Sequence, residues 1–176
     1  MGARHLRGSV RTVVRPIEPD DVPALMTLIH ELAVYEFEPD AVESSEDDLR
    51  RALFAEHPQV FAHVAEEEGR VVGAAVWSVS FSTWTGRHGI HLVDLIVGAG
   101  ARRGGHGASL LRELARICVE RGYPRLDWEV LDALERGDAD GEPGPHGFYR
   151  RHGGAPRQGW TAWRLDAGGL ADLAGS

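Results

Sequence analysis

The chain contains no lysine and no asparagine in its 176 residues, so all 19 basic side chains are arginine. The missing lysine excludes a Schiff-base or catalytic lysine and a GxxxxGK[ST] phosphate loop. The missing asparagine excludes N-linked glycosylation. A single cysteine, Cys118, rules out an internal disulfide, and its apolar helical surroundings read as a buried structural thiol. No apolar run approaches the about 18 residues of a membrane span, so no membrane partner is expected. Residues 1–11 are basic but lack the apolar core of a secretory signal, and Leu6 breaks the myristoylation pattern that Met1-Gly2 opens. They read as a disordered tail on a cytoplasmic protein, with one domain over residues 12–176.

Positive charge is also scarce. With 27 acidic residues the net charge is −8, and no basic face is available to neutralise a nucleic acid. A cationic substrate is compatible with that balance. Nine histidines invite a metal reading, yet His88-x-x-His91 is the only close pair and HExxH is absent, so no metal site is expected.

What is present is an ordered alternation of elements. Thr12–Ile17 is β-prone. Asp21–Tyr35 carries Val22, Leu25, Ile29, Leu32 and Ala33 at helical spacing, and Ser45-x-x-Asp48 caps a second helix. Val60–Ala65 and Val71–Phe81 read as a hairpin, and Gly89–Val97 as a central strand. An amphipathic helix through Leu110, Leu114 and Cys118 ends near Gly122. Arg125–Leu131 reads as a strand, Ala133–Pro145 as a surface loop, Gly147–His152 as a helical turn, and Trp160–Leu165 as a last strand. The order predicts a single α+β domain with a central mixed sheet flanked by helices.

The strongest local signal is Arg102-Arg103-Gly104-Gly105-His106-Gly107 between a buried strand and a helix. Small residues there let backbone N–H groups converge on an anion, and the helix adds its positive end. A phosphate or pyrophosphate suits such a turn. The dinucleotide pattern GxGxxG fails, because its third glycine falls on Leu110 from Gly105, or on Arg103 from Gly98.

Arg102-x-x-Gly105-x-Gly107 after Asp94-Leu95-Ile96-Val97 resembles the coenzyme A pyrophosphate loop of the GNAT acetyltransferases. Further segments are similar, in order, to the spermidine/spermine (diamine) N-acetyltransferase group. They are Leu28–Glu36, Glu56-His57-Pro58, Phe81–Gly86, His91–Leu95, Trp128–Asp132 and Phe148-Tyr149. The resemblance spans about Val13 to Leu165. It implies an N-acetyltransferase that moves acetyl from acetyl-CoA to the primary amine of a small molecule, diamine-like or lysine-like. It also implies a homodimer.

The resemblance further implies roles for particular residues. Cofactor contacts fall on Leu95, Ile96 and Val97, whose backbone supplies the thioester's N–H donor, and on Arg102, Arg103, Gly104, Gly105, His106, Gly107, Ala108 and Ser109. Tyr149 is the acid that protonates the departing thiolate, and it also touches the cofactor. Glu36, acting through water, is the base. Tyr35, Glu36, Trp84, Val93, Asp94 and Gln158 border the acceptor. The chain also departs from the group's pattern. Val93 and Gln158 replace carboxylates, Ala99 replaces a proline, Arg103 replaces a glycine, and the Ala133–His146 stretch replaces a shorter asparagine turn. The first two losses weaken the case for polyamines and leave a second class open, a non-catalytic acetyl-CoA-binding sensor.

Overall fold

The computed structural model describes residues 12–134 and 144–175. The expected tail, residues 1–11, lies outside them, as does most of the surface loop expected at Ala133–Pro145. Packing divides the chain into two compact units, residues 1–131 and 132–176.

The first unit runs β1 (Val13–Pro16), α1 (Val22–Tyr35), α2 (Glu46–Leu53), β2 (Val60–Glu67), β3 (Arg70–Ser82), β4 (Arg87–Val97), α3 (His106–Arg121) and β5 (Leu126–Asp127). The sheet order is β1-β2-β3-β4-β5, antiparallel except for the parallel β4–β5 pair, so it is mixed as predicted. Side-chain alternation along the strands gives it two working faces. Leu25, Leu28 and Leu53 of α1 and α2 cluster with Ala62, Val64, Ala74, Val76 and Ile96. Residues of the other parity meet α3. Trp77 Nε1 donates to His63 Nδ1 at 3.2 Å, the Arg121 guanidinium lies 5.6 Å from the Trp77 ring centre, and a Cβ at Gly73 would stand 3.5 Å from Leu110 Cδ1.

The capping chemistry follows the sequence. Ser45 and Asp48 form a reciprocal capping box at α2, with Asp48 N–H donating to Ser45 Oγ at 3.2 Å and Ser45 N–H to Asp48 Oδ2 at 2.8 Å. Gly122 closes α3 at φ +67°, where a side chain would be strained. Ahead of α1, Arg15 forks onto Asp21 at 2.6 and 3.0 Å and reaches Glu66 at 3.1 Å, which ties β1, β2 and the start of α1 together. The Arg15 hydrogen bonds hold the Asp21 carboxyl below its ordinary range.

Two features of β4 matter for function. Its register against β3 slips between Val76 and Trp77: Asp94 pairs with Val76 and Leu92 with Trp77, so Val93 is the extra, bulged residue. On its other edge β4 pairs with β5 only at Ile90 and His91. From Leu92 onward that edge has no strand partner among the described residues.

The second unit contains α4 (Pro145–Arg151) and α5 (Ala167–Gly175). The helical turn expected at Gly147–His152 is α4. The last strand expected at Trp160–Leu165 is a correction: this segment forms no strand, and Trp163 is 91% exposed. β-propensity describes fit to a sheet surface, and no neighbouring strand pairs with these residues here. The strand expected at Arg125–Leu131 is reduced to Leu126–Asp127.

Candidate active site

The site is built where β4 ends and α3 begins. Val97 closes the strand, and Gly98 N–H donates to Val72 O at 2.9 Å, so the chain leaves the sheet at a fixed point. Ala99 stands where the resembling group has proline. Its restored N–H donates to Glu31 Oε2 at 3.1 Å, tethering the loop to α1. Ala101 N–H returns to Gly98 O at 2.8 Å, and Gly104 N–H to Ala101 O at 3.3 Å.

The turn needs left-handed backbone twice. Gly105 takes φ +83° as the residue capping α3, and Arg103 takes φ +68°. The glycine of the resembling group therefore sat at a position that demands this conformation, and arginine adopts it at a cost of about 1–2 kcal/mol. Ser109 N–H closes the first helical bond onto Gly105 O at 3.0 Å. His106, Gly107 and Ala108 lie in the first turn, whose N–H groups have no acceptor within the helix and carry its positive end. That donor set fits a pyrophosphate, and a Cβ placed at Gly105 or Gly100 would meet nothing within 4 Å, so the approach is open. The His106 side chain turns away from this mouth and is 2% exposed.

On the α1 side, Tyr35 is the last helical residue, and the Arg102 guanidinium lies 4.5 Å from its ring centre. Between α1 and the loop, His30, Glu31, Val34, Tyr35, Ala99 and Arg102 line an open pocket of about 540 Å³. Glu36 follows as the residue that caps α1. Its carboxyl is pushed above the ordinary value, first by burial and then by the negative charge of Asp94. Burial raises the Asp94 carboxyl too. Asp94 lies one residue past the β4 bulge and just before Leu95, Ile96 and Val97, and its charge is felt at Glu36.

Other expected residues fall elsewhere. Val93 is half exposed at the bulge. Trp84 lies in the β3–β4 turn and is 87% exposed, at the opposite end of β4 from the loop. From Arg87, where β4 starts, to Asp94 the strand rises about 23 Å, so Trp84 and Asp94 of one chain do not meet. Tyr149 lies half-buried in α4, where its ring meets Phe148 edge-on at 5.1 Å and its carbonyl accepts from His152 and Gly154 N–H. Gln158 lies in an exposed turn of the second unit.

Sequence reasoning missed Glu31, although it lies inside a quoted motif. Its partner Ala99 is 68 residues away, and only the fold pairs them. Among the described residues no cluster of three or more His, Cys, Asp or Glu could hold a metal ion, and no helix is long and apolar enough to cross a membrane.

A strand whose edge has no partner beyond His91 among the described residues runs into a glycine turn at a helix N-terminus, an arrangement suited to an anionic group such as a cofactor's pyrophosphate. The acetyltransferase (GNAT) family matches residues 25–153, and the chain belongs to that family. Among curated proteins, thialysine N-epsilon-acetyltransferase of Bos taurus is 29% identical over 174 residues, covering 93% of this chain and 97% of that protein. The Caenorhabditis elegans protein of the same name is 31% identical over 116 residues, covering 66% and 71%. Among solved structures, an integron cassette protein from the mobile metagenome of V. cholerae superposes with a TM-score of 0.75 at 27% identity, covering 94% of this chain and 98% of that one. The chain is an acetyltransferase of that family.

Proposed function

We propose that the chain transfers acetyl from acetyl-CoA to the terminal primary amine of a lysine-like or short diamine-like molecule. The observation that carries this reading is Asp94 of β4, a partly desolvated carboxyl whose charge reaches Glu36 at the end of α1. An aliphatic amine reaches neutral solution as an ammonium ion, and paired negative charge attracts it. It must then lose a proton to attack, and a carboxyl raised toward neutrality accepts one more readily. Glu36, through a water, takes that role, while Asp94 holds the nitrogen.

The cosubstrate supplies an acetyl thioester. A backbone N–H of Leu95 or Val97, on the side of β4 turned away from β3, donates to the carbonyl oxygen as its charge grows, while the Ile96 N–H faces β3 opposite Ala74. The new bond joins nitrogen to the acetyl carbon, and the bond that breaks is carbon to sulfur. Tyr149 donates its phenolic proton to the departing sulfur. Arg102 through Ala108 hold the phosphates, with Ser109 closing the helix behind them.

The acceptor is narrower than a polyamine. Val93 and Gln158 remove two carboxylates from positions where the diamine group carries them, so a second, distal ammonium gains less. The name of the cattle relative specifies thialysine, and that amine class fits one charged terminus next to Glu36 and Asp94. The reading keeps the homodimer that the resemblance implies, in which Trp84 serves the acceptor of the other subunit, and takes residues 12–176 as one working domain of a cytoplasmic protein.

Gly107→Asp tests the cofactor half. A carboxylate in the first turn of α3 stabilises the helix and repels the phosphates. Calorimetry should show coenzyme A binding lost with Tm unchanged or raised; unchanged affinity would place the phosphates elsewhere. Tyr149→Phe tests the chemical half. It should lower kcat by about 10- to 1,000-fold and leave coenzyme A affinity intact.

A further inference from the structure

We propose that His106 is a positioning residue that sets the shape of the phosphate-binding turn from beneath, by a steric interlock with Gly104 and a hydrogen bond to Thr12. The inference rests on the reading of residues 102–109 as the coenzyme A phosphate loop.

His106 opens α3, yet its ring points into the protein. Nδ1 lies 3.0 Å from Thr12 Oγ1, which precedes β1 and is 94 residues away in sequence. Nε2 lies 3.4 Å from Glu67 Oε2 at the end of β2, close enough for charge and not aligned for a hydrogen bond. Nε2 is the one buried side-chain nitrogen or oxygen without a hydrogen-bond partner among the described residues. A buried polar atom in that state is unfavourable, so its retention calls for a reason.

Gly104 supplies it. A Cβ at Gly104 would stand 2.5 Å from His106 Nε2, 2.8 Å from Cδ2 and 3.2 Å from Ala101 O. Real side chains do not approach so closely. Gly104 has no positive φ, so the glycine is required by the ring under it and not by the backbone angle. The left-handed residues Arg103 and Gly105 bracket this contact. The ring therefore acts as a floor. It supports the turn at Gly104, and the Thr12 hydroxyl prevents it from rotating away. The N–H groups of His106, Gly107 and Ala108 are held convergent before any phosphate arrives, which lowers the ordering cost of binding.

The test is coenzyme A affinity by calorimetry at 25 °C, with Tm measured in parallel, for the 176-residue chain and four variants. Gly104→Ala should weaken binding by about tenfold or more, because its methyl displaces either ring or turn. His106→Ala should weaken it by about threefold or more. In the double variant the Gly104→Ala penalty should largely vanish, since the methyl then fills the space the ring left. Thr12→Val lies outside the turn and removes only the hydroxyl. It should weaken binding by about threefold and keep the protein folded even if a Gly104 variant does not fold.

Additive effects at 104 and 106 would overturn the interlock. So would parental affinity in both His106→Ala and Thr12→Val, even with Tm lowered, since a purely structural role moves Tm alone. Failure of the parent protein to bind coenzyme A would instead overturn the reading of the loop on which this inference stands.

Discussion

The guanidinium of Arg102, first residue of the glycine-rich turn, lies over the ring of Tyr35, last residue of α1, 4.5 Å from its centre. This contact and the Glu31–Ala99 hydrogen bond both tie α1 to the turn. Tyr35 faces Arg102, and Glu36, one residue on, feels the charge of Asp94, so under the proposed function one end of α1 serves both substrates. A double-mutant cycle of Arg102→Ala and Tyr35→Leu should show a coupling of about 0.5–1 kcal/mol in coenzyme A affinity. Zero coupling would mean that the stacked pair is incidental.

Arg103 pays for its φ of +68° in strain that glycine does not feel. Arg103→Gly should raise stability by up to about 1 kcal/mol, the left-handed relief less the entropy of a freer unfolded chain. The midpoint of urea denaturation measures this. A lower midpoint would show that the arginine side chain contributes more than its backbone costs.

The raised carboxyls of Glu36 and Asp94 link stability to pH. Each binds its proton more tightly in the folded chain than at the ordinary values of 4.5 and 3.8, so their favourable contribution is complete below those values. It is lost as pH rises through the higher folded values, and above them both act against the fold. Asp94→Asn should therefore raise Tm at pH 7 and leave it nearly unchanged near pH 3.5. The same variant should lower kcat/KM for the amine by about tenfold or more. A Tm gain of equal size at both pH values would remove desolvated charge as the cause.

Much of this was legible because it is local. The capping box at Ser45 and Asp48, the glycine at position 122 and the glycine turn itself are short-range patterns, and each lies where the sequence puts it. The extra residue at Val93 was not legible, since a bulge is defined by the register of the facing strand. Glu31 with Ala99, and His106 with Thr12, join segments 68 and 94 residues apart, and no spacing rule connects them. Trp160–Leu165 failed for the converse reason. Its composition suits a strand, but a strand needs an edge to pair with. The helix α5, Ala167–Gly175, was missed because three glycines among its nine residues argue locally against a helix.

Thiol release from acetyl-CoA across an amine panel tests the central claim most directly. The panel holds thialysine, lysine, putrescine, spermidine, spermine and aminoglycosides. The account predicts turnover on thialysine, lysine or putrescine, with kcat/KM for spermidine and spermine lower, and loss of that turnover in the Glu36→Gln, Asp94→Asn double variant. Equal or greater activity on spermine would contradict the role given to Val93 and Gln158. No turnover on any amine, with acetyl-CoA bound tightly, would contradict the proposed acceptor altogether.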